Sequence, residues 1–176
     1  MAFVGKGGAG KSVIAGTLAR LLGREGGPVL VVDSDPLPGL AYSIGMPSVD
    51  SGIPDEAVEE VDVEGRRRYR LAAGLSADEA VRRYAAVGPD GVRVLQFGKT
   101  RGHIRDLARS QAAFHAILDD LPVDGWSVVG DLPGGTRQAF FGWGRYATTL
   151  VAVAEASAAS LLSARRLARL ARMPQA

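Results

Sequence analysis

Gly5-Lys6-Gly7-Gly8-Ala9-Gly10-Lys11-Ser12 decides how this chain is read. It has the G-x-x-x-x-G-K-S spacing of a phosphate-binding loop. Four glycines in eight residues let the backbone curl around an anion with its N–H groups turned inward. Lys11 then reaches the β- and γ-phosphates of a nucleotide, and the Ser12 hydroxyl ligates Mg²⁺. Such a loop needs a strand before it and a helix after it. Met1 to Val4 is apolar and strand-like, and Val13 to Leu22 places Ile14, Leu18, Leu21 and Leu22 at helical spacing. The helix N-terminus adds its own attraction for phosphate. This context argues against a glycine-rich turn that matches by accident.

Working outward, Pro28 to Asp33 is a short apolar run that reads as a parallel strand buried on both faces. It ends in Asp33-Ser34-Asp35-Pro36. Acids at the C-terminal end of such a strand lie where open α/β sheets bind ligands, and two of them together call for a cation nearby. The competing reading is a pair of turn acids ahead of Pro36. Trp126 to Asp131 is a second strand ending in an acid, the position at which a carboxylate holds a Mg²⁺-bound water. It runs on into Leu132-Pro133-Gly134-Gly135, where a glycine can bring a backbone N–H to a γ-phosphate and change φ/ψ when that phosphate leaves. A plain Pro-Gly turn is the alternative.

Between these motifs, Leu40 to Ile44 fits a short helix. Pro47 to Glu64 is rich in Gly, Pro and acids and reads as an exposed excursion, followed by a solvated Arg66-Arg67-Arg68. Tyr69 to Ala73 is a candidate strand. Ser76-Ala77-Asp78-Glu79 is a capping box that opens a helix to about Val87. Val92 to Phe97 alternates as a strand, followed by a loop over 98–105 with Lys99, Arg101, His103 and Arg105. Asp106 to Leu121 reads as a helix with Leu107, Phe114, Ile117, Leu118 and Leu121 inward, and His115 in it as structural. Thr148 to Ala154 is the last strand. The helix from Ala159 to Met173 is expected to turn Leu161, Leu162, Leu167 and Leu170 inward and Arg165, Arg166, Arg169 and Arg172 outward. A basic amphipathic helix can also lie on a membrane surface, but an outer helix covering the sheet is the preferred reading.

The 176 residues, 47% apolar, suggest one domain with a real core. The chain has no cysteine, which excludes disulfides and thiolate metal sites and gives a cytoplasmic reading by default. Nothing resembles a signal peptide, and no apolar run is long enough to span a membrane. A net charge of +2 argues only weakly for nucleic acid. The alternation of strands and helices predicts an α/β fold, a mostly parallel sheet with helices on both faces.

The stretch Lys6-Gly7-Gly8-Ala9-Gly10-Lys11-Ser12 resembles the deviant Walker-A signature K-G-G-x-G-K-[S/T] of the MinD/ParA/ArsA-type P-loop ATPases and the nitrogenase iron protein. Asp33-Ser34-Asp35-Pro36 resembles that family's D-x-D-P switch I, and Asp131 to Gly135 its D-x-P-x-G switch II. Glu155-Ala156-Ser157 and the helix after it are similar to the E-P-S element, most like the CooC-type branch, with alanine where the family has proline. The resemblance implies that Lys6 crosses a dimer interface to the partner's nucleotide, the alternative being a solvated lysine on a loop. It implies that Asp35 orients the attacking water and that Asp33 supports a metal region completed by Ser12 and Asp131. The nucleotide-binding set is then Gly5, Lys6, Gly7, Gly8, Ala9, Gly10, Lys11, Ser12 and Val13, with Gly135. Lys6, Lys11 and Asp35 carry the catalysis.

The resemblance thus implies a Mg²⁺-dependent ATP-binding and ATP-hydrolysing switch that cycles between ATP and ADP. It would form a nucleotide-dependent homodimer and act on a protein client, as an accessory or maturation factor. A non-hydrolysing nucleotide-sensing adaptor and a ParA-like DNA-partitioning ATPase are the alternatives, with nucleic acid and membrane not expected as partners. There are departures from the pattern. The region after residue 97 lacks the cysteines that bind metal in the CooC and iron-protein branch, which leaves His103 as a candidate ligand or a surface residue. Relatives continue past the last helix to an asparagine that reads the base. Nothing here matches that region, so ATP is inferred from the family alone, and the chain reads as a fragment or as a short member with weaker nucleotide affinity.

Overall fold

Among the described residues, six strands form the central sheet. They are β1 Ala2–Gly5, β2 Val29–Asp33, β5 Ala86–Val87, β6 Arg93–Gln96, β7 Ser127–Asp131 and β8 Leu150–Val153. Their order across the sheet is β5-β6-β2-β7-β1-β8. All pairings are parallel except β5 with β6. The computed structural model describes residues 1–35, 39–47, 49, 53–96, 104–121, 125–135, 142–144 and 146–172. Pro36 and the 97–103 part of the loop with Lys99, Arg101 and His103 lie outside them.

Successive residues of β2 face opposite ways, as a strand's period of two requires. Val29 and Val31 join Phe3, Val94 and Val129 in a core with Ala15 and Ala19 of α1 (Lys11–Arg24) and Leu40 and Ala41 of α2 (Leu40–Ser43). Leu30 and Val32 join Leu95 and, on the other face, Ala80 and Val81 of α3 (Ala77–Tyr84) and Phe114, Ile117 and Leu118 of α4 (Ile104–Asp120). On that same second face α5 (Ala158–Leu170) lays Leu167 on Ala2 and Val4. Both faces are covered by helices, as the apolar runs required.

Helix α1 differs from expectation in what it buries. Ile14 and Leu21 are 45% and 52% exposed, and the buried positions are Lys11, Ala15, Gly16 and Ala19. A Cβ at Gly16 would already stand 3.0 Å from Ile44 and Ser43. The helix approaches α2 through its small residues, and the larger ones are left on its flanks. In α5, likewise, Leu167 and Ser160 are buried while Leu161 and Leu162 are 58% and 47% exposed, against the expected inward leucines.

Within the expected excursion from Pro47 to Glu64, residues 55–63 are ordered into regular structure. A 3-10 turn, Asp55–Ala57, leads into an antiparallel hairpin of β3 (Val58–Val63) and β4 (Arg66–Leu71), a second sheet that absorbs the arginine run. Glu64 and Gly65 turn the chain with φ of 55° and 74°, the two positive values a tight hairpin turn needs. Glu59 faces Arg70 across the ladder with Oε1 2.6 Å from Nε, and Glu60 meets Arg67 diagonally at 3.4 Å. Such cross-strand pairs stabilise a strand that looks too charged to be one. Helix α3 opens as expected, with Ser76 Oγ accepting from Glu79 N at 3.2 Å, but it stops at Tyr84, and Ala86 and Val87 pair with β6.

Candidate nucleotide site

The loop leaves β1 at Gly5, whose φ is 146°. A Cβ there would overlap the carbonyl oxygen of Val153 on β8, so only glycine fits. Gly10, with φ of 90°, precedes the first turn of α1, and its carbonyl accepts from Ile14 N at 3.1 Å. The first turn carries Lys11, Ser12 and Val13, with Lys11 buried and Val13 exposed. No acidic side chain occupies that turn, so its amides and positive dipole end are left for an anion.

Parallel register sets the acids side by side. Asp33 pairs with Asp131 across β2 and β7, and with Gln96 across β2 and β6. The Ser12 hydroxyl donates to Asp131 Oδ2. Burial pushes the Asp131 carboxyl above its ordinary value, opposed by the Ser12 hydrogen bond and the Lys11 charge and assisted by the negative charge of Asp35. Its second oxygen, Oδ1, is buried without a hydrogen-bond partner. Serine and aspartate oxygens are hard donors, and Mg²⁺ typically takes one or two protein oxygens and completes its shell from phosphates and water. The orphaned Oδ1 beside Ser12 fits that ion, and among the described residues no group of three or more acids or histidines gathers to hold a metal by itself.

Asp33 is fully buried and is used differently. Its Oδ1 accepts from Asp35 N and its Oδ2 from Leu40 N, both at 3.1 Å, so its carboxylate holds the backbone at Asp35 and at Leu40. Burial raises its pKa to about 6, with the charges of Asp131 and Asp35 adding to the rise and the two backbone hydrogen bonds opposing it. Asp35 stands half-buried at the mouth of this group.

The segment after β7 returns to the loop. Gly135 N donates to Gly5 O at 3.4 Å, and a Cβ on Gly134 would come within 3.1 Å of Gly7 N. Gly135, expected to meet a γ-phosphate, therefore sits against the phosphate loop in this structure.

Two contacts had no sequence signal. Lys6 Nζ donates to Glu155 Oε1 at 3.3 Å. The same oxygen accepts from Ser157 Oγ at 3.1 Å, and Ser157 Oγ accepts from Ser160 N at the start of α5. Tyr146 lies on the far face of the sheet, its hydroxyl buried and unpartnered against Gly130, the residue before Asp131. His115 is packed at 4.8 Å from the Trp143 ring, in keeping with a structural role.

Residues 1–126 match the family model described as the CobQ/CobB/MinD/ParA nucleotide-binding domain. The chain belongs to that family. The match takes in the phosphate loop, Asp33 and Asp35, and the geometry of Asp131 extends the site beyond it. The chain is also similar to the carbon monoxide dehydrogenase accessory protein CooC of Rhodospirillum rubrum, 52% identical over 48 residues. That stretch covers 27% of this chain and 18% of the relative. No helix among the described residues is long and apolar enough to cross a membrane.

Proposed function

We propose that this chain is a Mg²⁺-dependent ATP-binding and ATP-hydrolysing switch that dimerises on its nucleotide and acts on a protein client. The observation that carries the reading is the hydrogen bond from the Ser12 hydroxyl to Asp131, a carboxylate that also feels the charge of the buried Lys11. Lys11 and the loop amides bind the phosphates, and Ser12 with Asp131 would hold the Mg²⁺, which would supply neutralisation of the phosphate charge. Asp35 holds the attacking water and orients it. Lys6, once it leaves Glu155, reaches a second copy and stabilises the charge of the transition state there. ATP is taken from the family; the nucleotide-dependent homodimer and the release of ADP belong to the same proposal.

The relative's name, an accessory protein, supports a maturation or accessory role. The absence of cysteines argues against a thiolate-held metal cargo. Lys11→Ala should abolish nucleotide binding. Asp35→Ala should keep binding and lose turnover. A wild-type chain that binds ATP with no turnover would instead be a nucleotide-sensing adaptor.

A further inference from the structure

We infer that the outer face of α5 is the docking surface for an acidic, amphipathic segment of a partner protein. The inference rests on the switch reading only in calling that partner the client. Helix α5 is held on one side, with Ser160 and Leu167 buried and Ser163, Ala164 and Leu170 half-buried, and its opposite side faces outward. Leu161 and Leu162 are exposed in its first turns. Arg165, Arg166, Arg169 and Arg172 follow them, all exposed. Spacings of three and four place Leu161, Leu162, Arg165, Arg166 and Arg169 on one continuous face. From Ala156 to Arg172 there is no acidic residue, and among the described residues none of these arginines forms an ion pair.

The chemistry selects the occupant. The cations of this helix are all arginines, whose planar forks pair with carboxylates in two-point contacts. Two leucines at one end supply an apolar anchor of the kind that carries binding energy at protein interfaces. A lipid surface would need an apolar stripe along the whole helix, and here it covers one end only. A phosphodiester backbone would have no use for the leucines. A short amphipathic helix with apolar residues at one end and glutamates along the next two turns matches both halves.

The test uses the full chain without nucleotide. A fluorescein-labelled synthetic peptide of about 16 residues, with two leucines one turn apart followed by glutamates at helical spacing, is titrated by anisotropy. Saturable binding is expected. It should weaken by about tenfold or more in R165E/R166E/R169E, by about fivefold in L161S/L162S, and by about threefold in R165K/R166K/R169K, which keeps the charge and loses the two-point contacts. A same-composition scramble that separates the leucines from the glutamates should bind about tenfold more weakly. No saturable binding, equal binding by the charge-reversal variant, or equal binding of the scramble overturns the proposal. So does tighter binding of phosphatidylserine vesicles or duplex DNA that is lost in R165E/R166E/R169E. Nucleotide binding is measured separately on wild type: its absence would remove the switch reading and leave the peptide result standing, while peptide failure with intact nucleotide binding removes only the docking surface.

Discussion

Lys6 and Glu155 lie 149 residues apart in the chain and form an ion pair, with Nζ 3.3 Å from Oε1. Both side chains are 45% exposed, so the pair contributes less than about 1 kcal/mol to stability. Its effect is on where the Lys6 ammonium sits. While Glu155 holds it, the lysine stays against its own subunit. Lys6→Ala and Glu155→Ala should therefore each shift unfolding stability by less than about 1 kcal/mol. Lys6→Ala should slow turnover roughly 10²–10³-fold, while Glu155→Ala should keep turnover and dimerise at lower ATP concentration. Denaturant titration and steady-state hydrolysis measure both, and an equal loss of turnover in Glu155→Ala would contradict the holding role.

The pH dependence of the nucleotide-free, Mg²⁺-free protein should carry the mark of Asp33. Its carboxyl titrates near 6 when folded and near 3.8 when unfolded. Between those values the folded state binds more protons than the unfolded state, so stability from this group falls as pH rises through the window and is level above it. The full effect is about 3 kcal/mol. Relative to Asp33→Asn, wild type should thus lose stability from pH 4 to 7. Urea denaturation at stepped pH reads the slope, and parallel curves for the two proteins would count against it.

The Asp131 carboxylate carries a stability cost. Its raised pKa and orphaned Oδ1 mark a carboxylate whose burial is compensated only in part by Ser12 and Lys11. Asp131→Asn should raise the unfolding midpoint of the metal-free protein, by about 1 kcal/mol in stability, and abolish the Mg²⁺ dependence of nucleotide affinity. Calorimetric titration with ATP, with and without Mg²⁺, checks the second half.

Gly130 and Tyr146 should behave as a coupled pair. A Cβ on Gly130 would run into the buried Tyr146 hydroxyl, so Gly130→Ala should destabilise by roughly 1–3 kcal/mol. Tyr146→Phe removes both the clash and a buried hydroxyl without a partner, and should recover part of that loss. A double-mutant cycle by thermal unfolding reports the coupling, and strict additivity would contradict the contact.

The sheet and the phosphate loop were legible because their signals are local. An apolar run ending in an acid reads the same whichever strands flank it, and Asp33 and Asp131 then meet through parallel register. What was hidden depends on partners distant in sequence. Strand β3 and the arginines that open β4 read as an excursion and a solvated run, with a strand only from Tyr69, until Glu59 is seen opposite Arg70. Helix α1 carries leucines at helical spacing, yet it packs through Ala15, Gly16 and Ala19 because α2 comes so close. In α5 the same spacing rule turned Leu161 and Leu162 inward, whereas Ser160, tied into the cap by its bond from Glu155 N, takes the buried position. The Lys6–Glu155 contact joins two motifs that each resembled the family but gave no hint that they touch.

Sedimentation velocity of the purified chain with Mg²⁺ and a non-hydrolysable ATP analogue tests the central claim most directly. The account predicts a monomer without nucleotide and a dimer with it. A chain that binds the analogue and stays monomeric at every concentration would contradict the account, because Lys6 would then have no second nucleotide site to reach.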